Sequence, residues 1–334
     1  MLLGGEDAGG PVVVALDACA GEARALGGPG GLEFLAGGAV LAVAPIGEEV
    51  VIAGAFGDAF DPSPSAFIGR LERDTLRDRG FRPTVTGWIR SLMSDGGSGV
   101  VGVGGDASPA FTVSTLAPDL REACIDDVAD AGEGFAALQH GDRRWAAGTS
   151  GGQGVLLGFG ADCQTWNAAA GMVVCGCDDV IEARLELPET PRLELRALAF
   201  GAGGRFAGGF ATRPAAADDT RAVLASLQEA ALLTRLEWDP TPAADALTGL
   251  AMGEGTPLFA SAFSGRPTVG GRDDGQARAH LLVIDPATGQ ITRDVSVGRG
   301  RALGVAFTQG GVYVVVDGPD GAALVRCTTG GDCP

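Results

Sequence analysis

One short phrase recurs six times along this chain: a large apolar residue, a run of small residues, then a turn rich in Gly or Asp. The copies open at Ile52, Val101, Trp145, Phe206, Phe259 and Tyr313, so their starts lie 49, 44, 61, 53 and 54 residues apart. A period near 50 marks one supersecondary unit copied in series. Such a unit cannot bury its apolar face alone and must pack on its neighbours.

Each copy has the same grammar. An apolar strand comes first, as in Leu41-Ala42-Val43-Ala44 or Leu198-Ala199-Phe200. A tight turn of Gly, Asp or Glu follows, residues that tolerate the positive φ of hairpins. The recurring phrase is the second strand. A loop of variable length leads to a third, such as Ala66-Phe67-Ile68-Gly69-Arg70-Leu71, and fourth strands are weaker, Gln290-Ile291-Thr292-Arg293-Asp294-Val295 being the clearest. Four short antiparallel strands per unit is the blade of a β-propeller. The expected fold is therefore all-β, a β-propeller of four-stranded antiparallel blades. Six full units plus a partial one at the N-terminus favour seven blades. Six is the alternative, if the N-terminal strands complete the last blade. Residues 1–334 are expected to form a single propeller domain with insertions around 168–195 and 214–236. The second insertion fits either a short helix or an outer strand with an Ala-rich lead-in. Insertions in such a fold tend to land on a face, where binding happens.

Ile52-Ala53-Gly54-Ala55-Phe56-Gly57, an Asp-rich loop and then Ala66-Phe67-Ile68-Gly69-Arg70-Leu71 together resemble the bacterial SBBP-type propeller repeat, with kinship to the delta-60 repeat. Arg70 stands where that family carries Lys or Arg; the copy at Val101 lacks the aromatic, and the copy at Tyr313 is all Val. The resemblance implies an exported, often surface-associated propeller. It implies no particular chemistry, since propellers host binding, scaffolding and enzymes alike.

Composition narrows the function classes. The 24 basic residues are all Arg, against 42 acidic ones, for a net charge of −18. The missing lysine removes Schiff-base chemistry and the P-loop cation. The negative surface repels nucleic acid and anionic membranes, and no apolar run approaches the ~18 residues of a membrane span. The opening residues lack the form of a signal peptide and resemble a second strand. The chain is thus expected to begin inside a unit, either with an export signal removed or with the C-terminus completing the first blade. The 7 cysteines include Cys327 with Cys333, and Cys163 with Cys175 or Cys177, close enough to bridge a hairpin or loop. Disulfides imply export, and the odd count leaves one thiol free or joined to another chain.

Motifs for catalysis are poor. Gly97-Ser98-Gly99-Val100-Val101-Gly102 matches a dinucleotide fingerprint but runs into a strand rather than a helix. Gly148-Thr149-Ser150-Gly151-Gly152 matches the nucleophile-elbow spacing, again with a strand following. His140 and His280 read as surface or turn residues, and no catalytic residue is assigned. The one patterned polar feature is acidic: the loops between second and third strands carry Asp58, Asp61, Asp106, Asp218, Asp219, Asp273, Asp274, Asp317 and Asp320. Gathered on one face, they would attract calcium or arginine-rich partners; taken singly, Asp is a common turn residue. No cofactor is expected other than calcium. The resulting expectation is a non-enzymatic exported propeller, a binding or scaffold module for a protein or glycan partner. One alternative is a hydrolase or lyase acting on glycans through carboxylates near the central channel. Another is a self-assembling surface or filament subunit.

Overall fold

The computed structural model describes residues 2–7, 10–17, 22–26, 38–56, 65–73, 75, 78–86, 88–94, 100–105, 111–116, 122–129, 132–160, 165–167, 172–174, 180–214, 216–253, 255–266, 277–308, 310–319 and 321–334. Among them the regular structure is all β-strand. A three-stranded sheet comes first: β1 (Leu2–Asp7), β2 (Gly10–Asp17) and β3 (Glu22–Leu26). A four-stranded antiparallel meander follows: β4 (Gly38–Ile46), β5 (Glu49–Phe56), β6 (Ser65–Glu72) and β7 (Asp78–Thr86). The next has the same plan: β8 (Trp88–Ser94), β9 (Val100–Gly105), β10 (Phe111–Leu116) and β11 (Glu122–Ala129). Then come β12 (Gly132–His140), β13 (Arg143–Ser150) and β14 (Gln153–Gly160), a separate hairpin of β15 (Thr165–Asn167) and β16 (Met172–Val174), and β17 (Ile181–Leu185), which pairs beside β14 as fourth strand.

Two further meanders follow. One contains β18 (Leu193–Gly201), β19 (Gly204–Arg213), β20 (Ala216–Gln228) and β21 (Ala231–Trp238); the other contains β22 (Ala244–Met252), β23 (Leu258–Arg266), β24 (Arg278–Ile284) and β25 (Ile291–Arg299). A single parallel bridge between Thr220 and Ala244 joins them. Three strands close the series: β26 (Arg301–Thr308), β27 (Gly311–Gly318) and β28 (Gly321–Cys327).

The recurring phrase forms β5, β9, β13, β19, β23 and β27, as the repeat predicts. Fourth strands are better formed than the sequence suggests: β7, β11, β17, β21 and β25 all pair. The described residues of 214–236 hold no helix. They supply most of β20 and β21, whose tight turn places Glu229 at φ 53. Of the two readings for that stretch, the outer strand with an Ala-rich lead-in is the one that forms.

Why the phrase is small in its middle becomes clear from pairing. The first strand of a meander carries a bulge at Leu41, Arg90, Arg196, Thr248 and Leu303, where the register skips one residue. The second strand faces each bulge with Gly54, Gly104, Gly209, Ala262 and Val316. At two of these the bulged strand turns a carbonyl inward. A Cβ on Gly104 would lie 2.0 Å from the Trp88 oxygen, and one on Gly209 would lie 1.7 Å from the Glu194 oxygen. Bulges add twist and bend a strand, which suits a repeated, curved architecture.

The chain forms two compact units, Met1–Ala146 with Gly158–Val180, and Ala147–Leu157 with Ile181–Pro334. In the first, Val51, Ala53 and Ile68 pack with Ile89, Leu92 and Val100. In the second, Phe206, Leu224 and Trp238 pack with Leu247, Leu258 and Leu282. A neighbouring cluster stacks Phe259 on Phe307, their ring centroids 5.6 Å apart, and includes Cys327. Cys327 and Cys333 form a disulfide, as expected. Asp332, inside its loop, also pairs with Arg293 of β25. Cys163 and Cys175 lie outside the described residues.

Candidate functional site

The Pro-bounded stretch after β17 breaks the repeat and makes a cleft. Pro188 and Pro191 cannot donate to a ladder, so pairing stops. The segment folds on itself instead, with Thr190 N donating to Leu187 O at 3.2 Å and Glu189 at φ 62. It docks on the β13–β14 turn, where Leu193 N donates to Gly152 O at 2.8 Å. Gly152 is required there twice over: its φ is 83, and a Cβ would lie 2.8 Å from the Pro191 oxygen.

The cleft between segment and turn has a volume of about 440 Å³. Leu185 and Leu193 lie buried at its base; Leu187, Pro188 and Pro191 form apolar walls. One polar row crosses it. Gln153 Nε2 donates to Glu186 Oε1 at 2.5 Å, and Arg184 Nη1 donates to Gln153 Oε1 at 3.2 Å. Arg221 Nη2 reaches Thr190 Oγ1 at 3.4 Å.

A second concentration of polar groups lies where β20, β22 and β23 meet. Asp245 is fully buried there. Its Oδ1 accepts from Thr241 Oγ1 at 2.9 Å and from Gly265 N at 3.2 Å, and its Oδ2 accepts from Thr241 N at 3.2 Å. Thr220 Oγ1 bonds the Asp245 backbone at both N and O. Burial pushes the Asp245 carboxyl up to about 6, with the Asp219 charge adding to it, against the lowering bonds from Thr241 and Gly265. Asp219 lies 3.4 Å from Arg213 Nε, and Arg213 also pairs with Asp239.

Alongside, Ser264 Oγ is 2.9 Å from His280 Nε2, and His280 Nδ1 is 2.7 Å from Asp294 Oδ1. Trp238 sets its edge against the imidazole at 5.0 Å between centroids. The sequence reads His280 as a surface or turn residue; it lies instead within β24, half-buried and held by two partners. The partners lie 16 residues before and 14 after, on flanking strands, and no local spacing signals them. His140 is exposed beside the Gly141 turn, as expected.

Of the predicted acidic set, Asp58, Asp61, Asp106, Asp273, Asp274 and Asp320 lie outside the described residues. Asp218 and Asp219 fall in β20 and Asp317 in β27. Asp317 is engaged by Arg301 at 3.2 Å, across the register pair those residues form. Asp219 and Asp317 are thus each paired with an arginine on a neighbouring strand. Among the described residues, no three His, Cys, Asp or Glu side chains converge as a metal-ligand set, and no helix is long and apolar enough to cross a membrane. The Ser150 motif ends β13, and β14 follows its glycine turn, so it is not an elbow.

No protein-family model matches the chain, and no curated protein matches it in sequence. Solved structures do. A protein from Bacteroides fragilis proposed to be a 6-phosphogluconolactonase is similar with a TM-score of 0.64 at 14% identity, over 100% of this chain and 92% of that one. A counterpart from Bacteroides uniformis gives 0.62 at 15% identity, over 100% and 93%. The β-propeller domain of Cps50 (Swd1) from Myceliophthora thermophila gives 0.56 at 10% identity, over 98% and 94%. At such identities the likeness shows the fold alone. The fold is an all-β β-propeller.

Proposed function

We propose that the chain is an exported β-propeller domain working as a binding module, and that it takes an extended segment of a protein partner in the cleft beside Gly152. The observation that carries this reading is the cleft of about 440 Å³, built by the segment that interrupts the repeat. Its apolar walls suit a Leu- or Pro-sized side chain. The carboxylate of Glu186 and the overall charge of −18 favour a basic residue beside it. Likeness to the Cps50 (Swd1) propeller domain and to a chain of the mitotic checkpoint complex, itself a protein assembly, supports a binding role. The Cys327–Cys333 disulfide and the SBBP-type resemblance support an oxidising, exported setting. The glycan-hydrolase alternative would need a second carboxylate facing Glu186 across the cleft.

Peptide-display selection on the immobilised protein tests the reading. Enriched peptides are expected to pair an apolar with a basic residue. In titration they should lose at least ~10-fold in affinity to a Glu186→Arg, Leu187→Asp variant, about 1.4 kcal/mol. Failure to enrich, or peptides that bind the variant as tightly as the wild type, would sink the cleft as the site.

A further inference from the structure

Three side chains of one meander form a line that the cleft reading leaves unused. Ser264 lies near the end of β23, His280 near the start of β24 and Asp294 in β25. Ala262 pairs opposite His280 and Leu282 opposite Asp294, so serine and aspartate are both diagonal neighbours of the imidazole. Distances of 2.9 Å from Ser264 Oγ to Nε2 and 2.7 Å from Nδ1 to Asp294 Oδ1 are those of good hydrogen bonds. An ionised carboxylate only accepts, so Nδ1 of the neutral ring carries the proton and Nε2 is left to accept from the serine hydroxyl. This is the tautomer a nucleophilic serine requires. Trp238, at an interplanar angle of 72°, abuts the ring and limits its rotation.

We propose that Ser264 and His280 form an acyl-transfer site for small carboxylic esters, with Asp294 as positioning residue. Ser264 Oγ adds to the ester carbonyl as its proton passes to His280 Nε2. The bond to the alcohol oxygen breaks, and that proton leaves with the alcohol. Water then adds to the acyl carbon, giving a proton to Nε2; the acyl–Oγ bond breaks, and the proton returns to Ser264.

Two features set the scope. Ser264 is only 4% exposed, which restricts the acyl group to a slender one such as acetyl. The Gly265 amide, next to the nucleophile, is already taken by Asp245 at 3.2 Å. A donor spent in this way does not stabilise an oxyanion, so turnover is slow and the acyl-enzyme is the species to detect.

The probe is p-nitrophenyl acetate, followed by nitrophenol release and by peptide mapping for an acetyl group. The wild type is expected to acquire one acetyl, on Ser264. Ser264→Ala should acquire none there, and His280→Gln should be acylated at least ~100-fold more slowly. Asp294→Asn, which reverses the tautomer, should slow acylation, and Asp294→Glu should restore part of it. Thermal melts establish that each variant is folded at the assay temperature. If His280→Gln is not, the wild type decides: its acylation rate must fall as NMR shows the His280 imidazole gaining a proton. No acetyl on Ser264, an undiminished rate in folded His280→Gln, or a rate indifferent to that protonation overturns the proposal and leaves the three residues as a cross-strand link.

Discussion

Asp245 shows what a single residue does when its neighbours decide its protonation. It is fully buried, and its carboxyl is held near 6 rather than 3.8, chiefly by burial. Between those values the folded protein holds a proton that the unfolded chain has released. Its contribution therefore favours folding fully below 3.8 and is lost as pH rises through 6. Asp245→Asn removes the titration and turns an amide NH2 toward Thr241 N, a constant cost. The melting-temperature difference, wild type minus variant, is thus expected to be most positive near pH 4, to shrink toward pH 7 and then level off. Melts across a pH series check this, and a flat difference would mean the carboxyl is solvated. Nothing around position 245 announces this role. Asp219 was legible as a loop carboxylate, but its pairing with Arg213 depends on how β19 and β20 fold back on each other, and the burial of Asp245 arises only when β20 and β22 come together.

The meander was the most legible object in the chain. Its hairpin turns are written in residues with one conformational meaning. In Asp285-Pro286-Ala287-Thr288-Gly289, Asp285 Oδ1 accepts from Ala287 N at 2.9 Å and Oδ2 from Thr288 Oγ1 at 3.0 Å, while Gly289 sits at φ 76. Backbone and hydroxyl donors hold the Asp285 carboxyl below its ordinary range. The bulge was not legible, because it inserts a residue without a compositional mark: Leu41, Arg90, Arg196, Thr248 and Leu303 share no chemistry. Its trace is on the facing strand at Gly104 and Gly209, where a side chain would meet the Trp88 and Glu194 carbonyls. Gly209→Ala is accordingly expected to destabilise by about 2–3 kcal/mol, and Gly104→Ala similarly, since backbone must move. Gly304→Ala is the control, because an added methyl there meets nothing within 4 Å. Urea denaturation compares the three. Equal stability of Gly209→Ala and the wild type would mean the close approach is soft.

At the scale of the molecule, two electrostatic effects oppose each other. A net charge of −18 makes the compact state repel itself. Pairs such as Arg90–Glu133 and Arg301–Asp317 attract, but such partly exposed pairs contribute roughly 0–1 kcal/mol each. Salt screens both. The long-range repulsion is the more sensitive, because the Debye length falls from about 30 Å at 0.01 M to about 10 Å at 0.1 M. The melting temperature is therefore expected to rise between those concentrations of sodium chloride. A fall would mean that the ion pairs outweigh the net charge.

The period of about 50 residues, the alternation of apolar strands with Gly and Asp turns, and the charge balance are properties of the chain read locally. Local rules suffice for them, since strand, turn and repeat depend on neighbours a few residues away. They determined an all-β propeller and the positions of its second strands. The Cys327–Cys333 pair, 6 residues apart, was legible for the same reason. The partners of His280, the burial of Asp245, the bulges and the cleft against Gly152 belong to pairings between strands. There, register and close approach choose which side chains meet, so only the tertiary structure decided them.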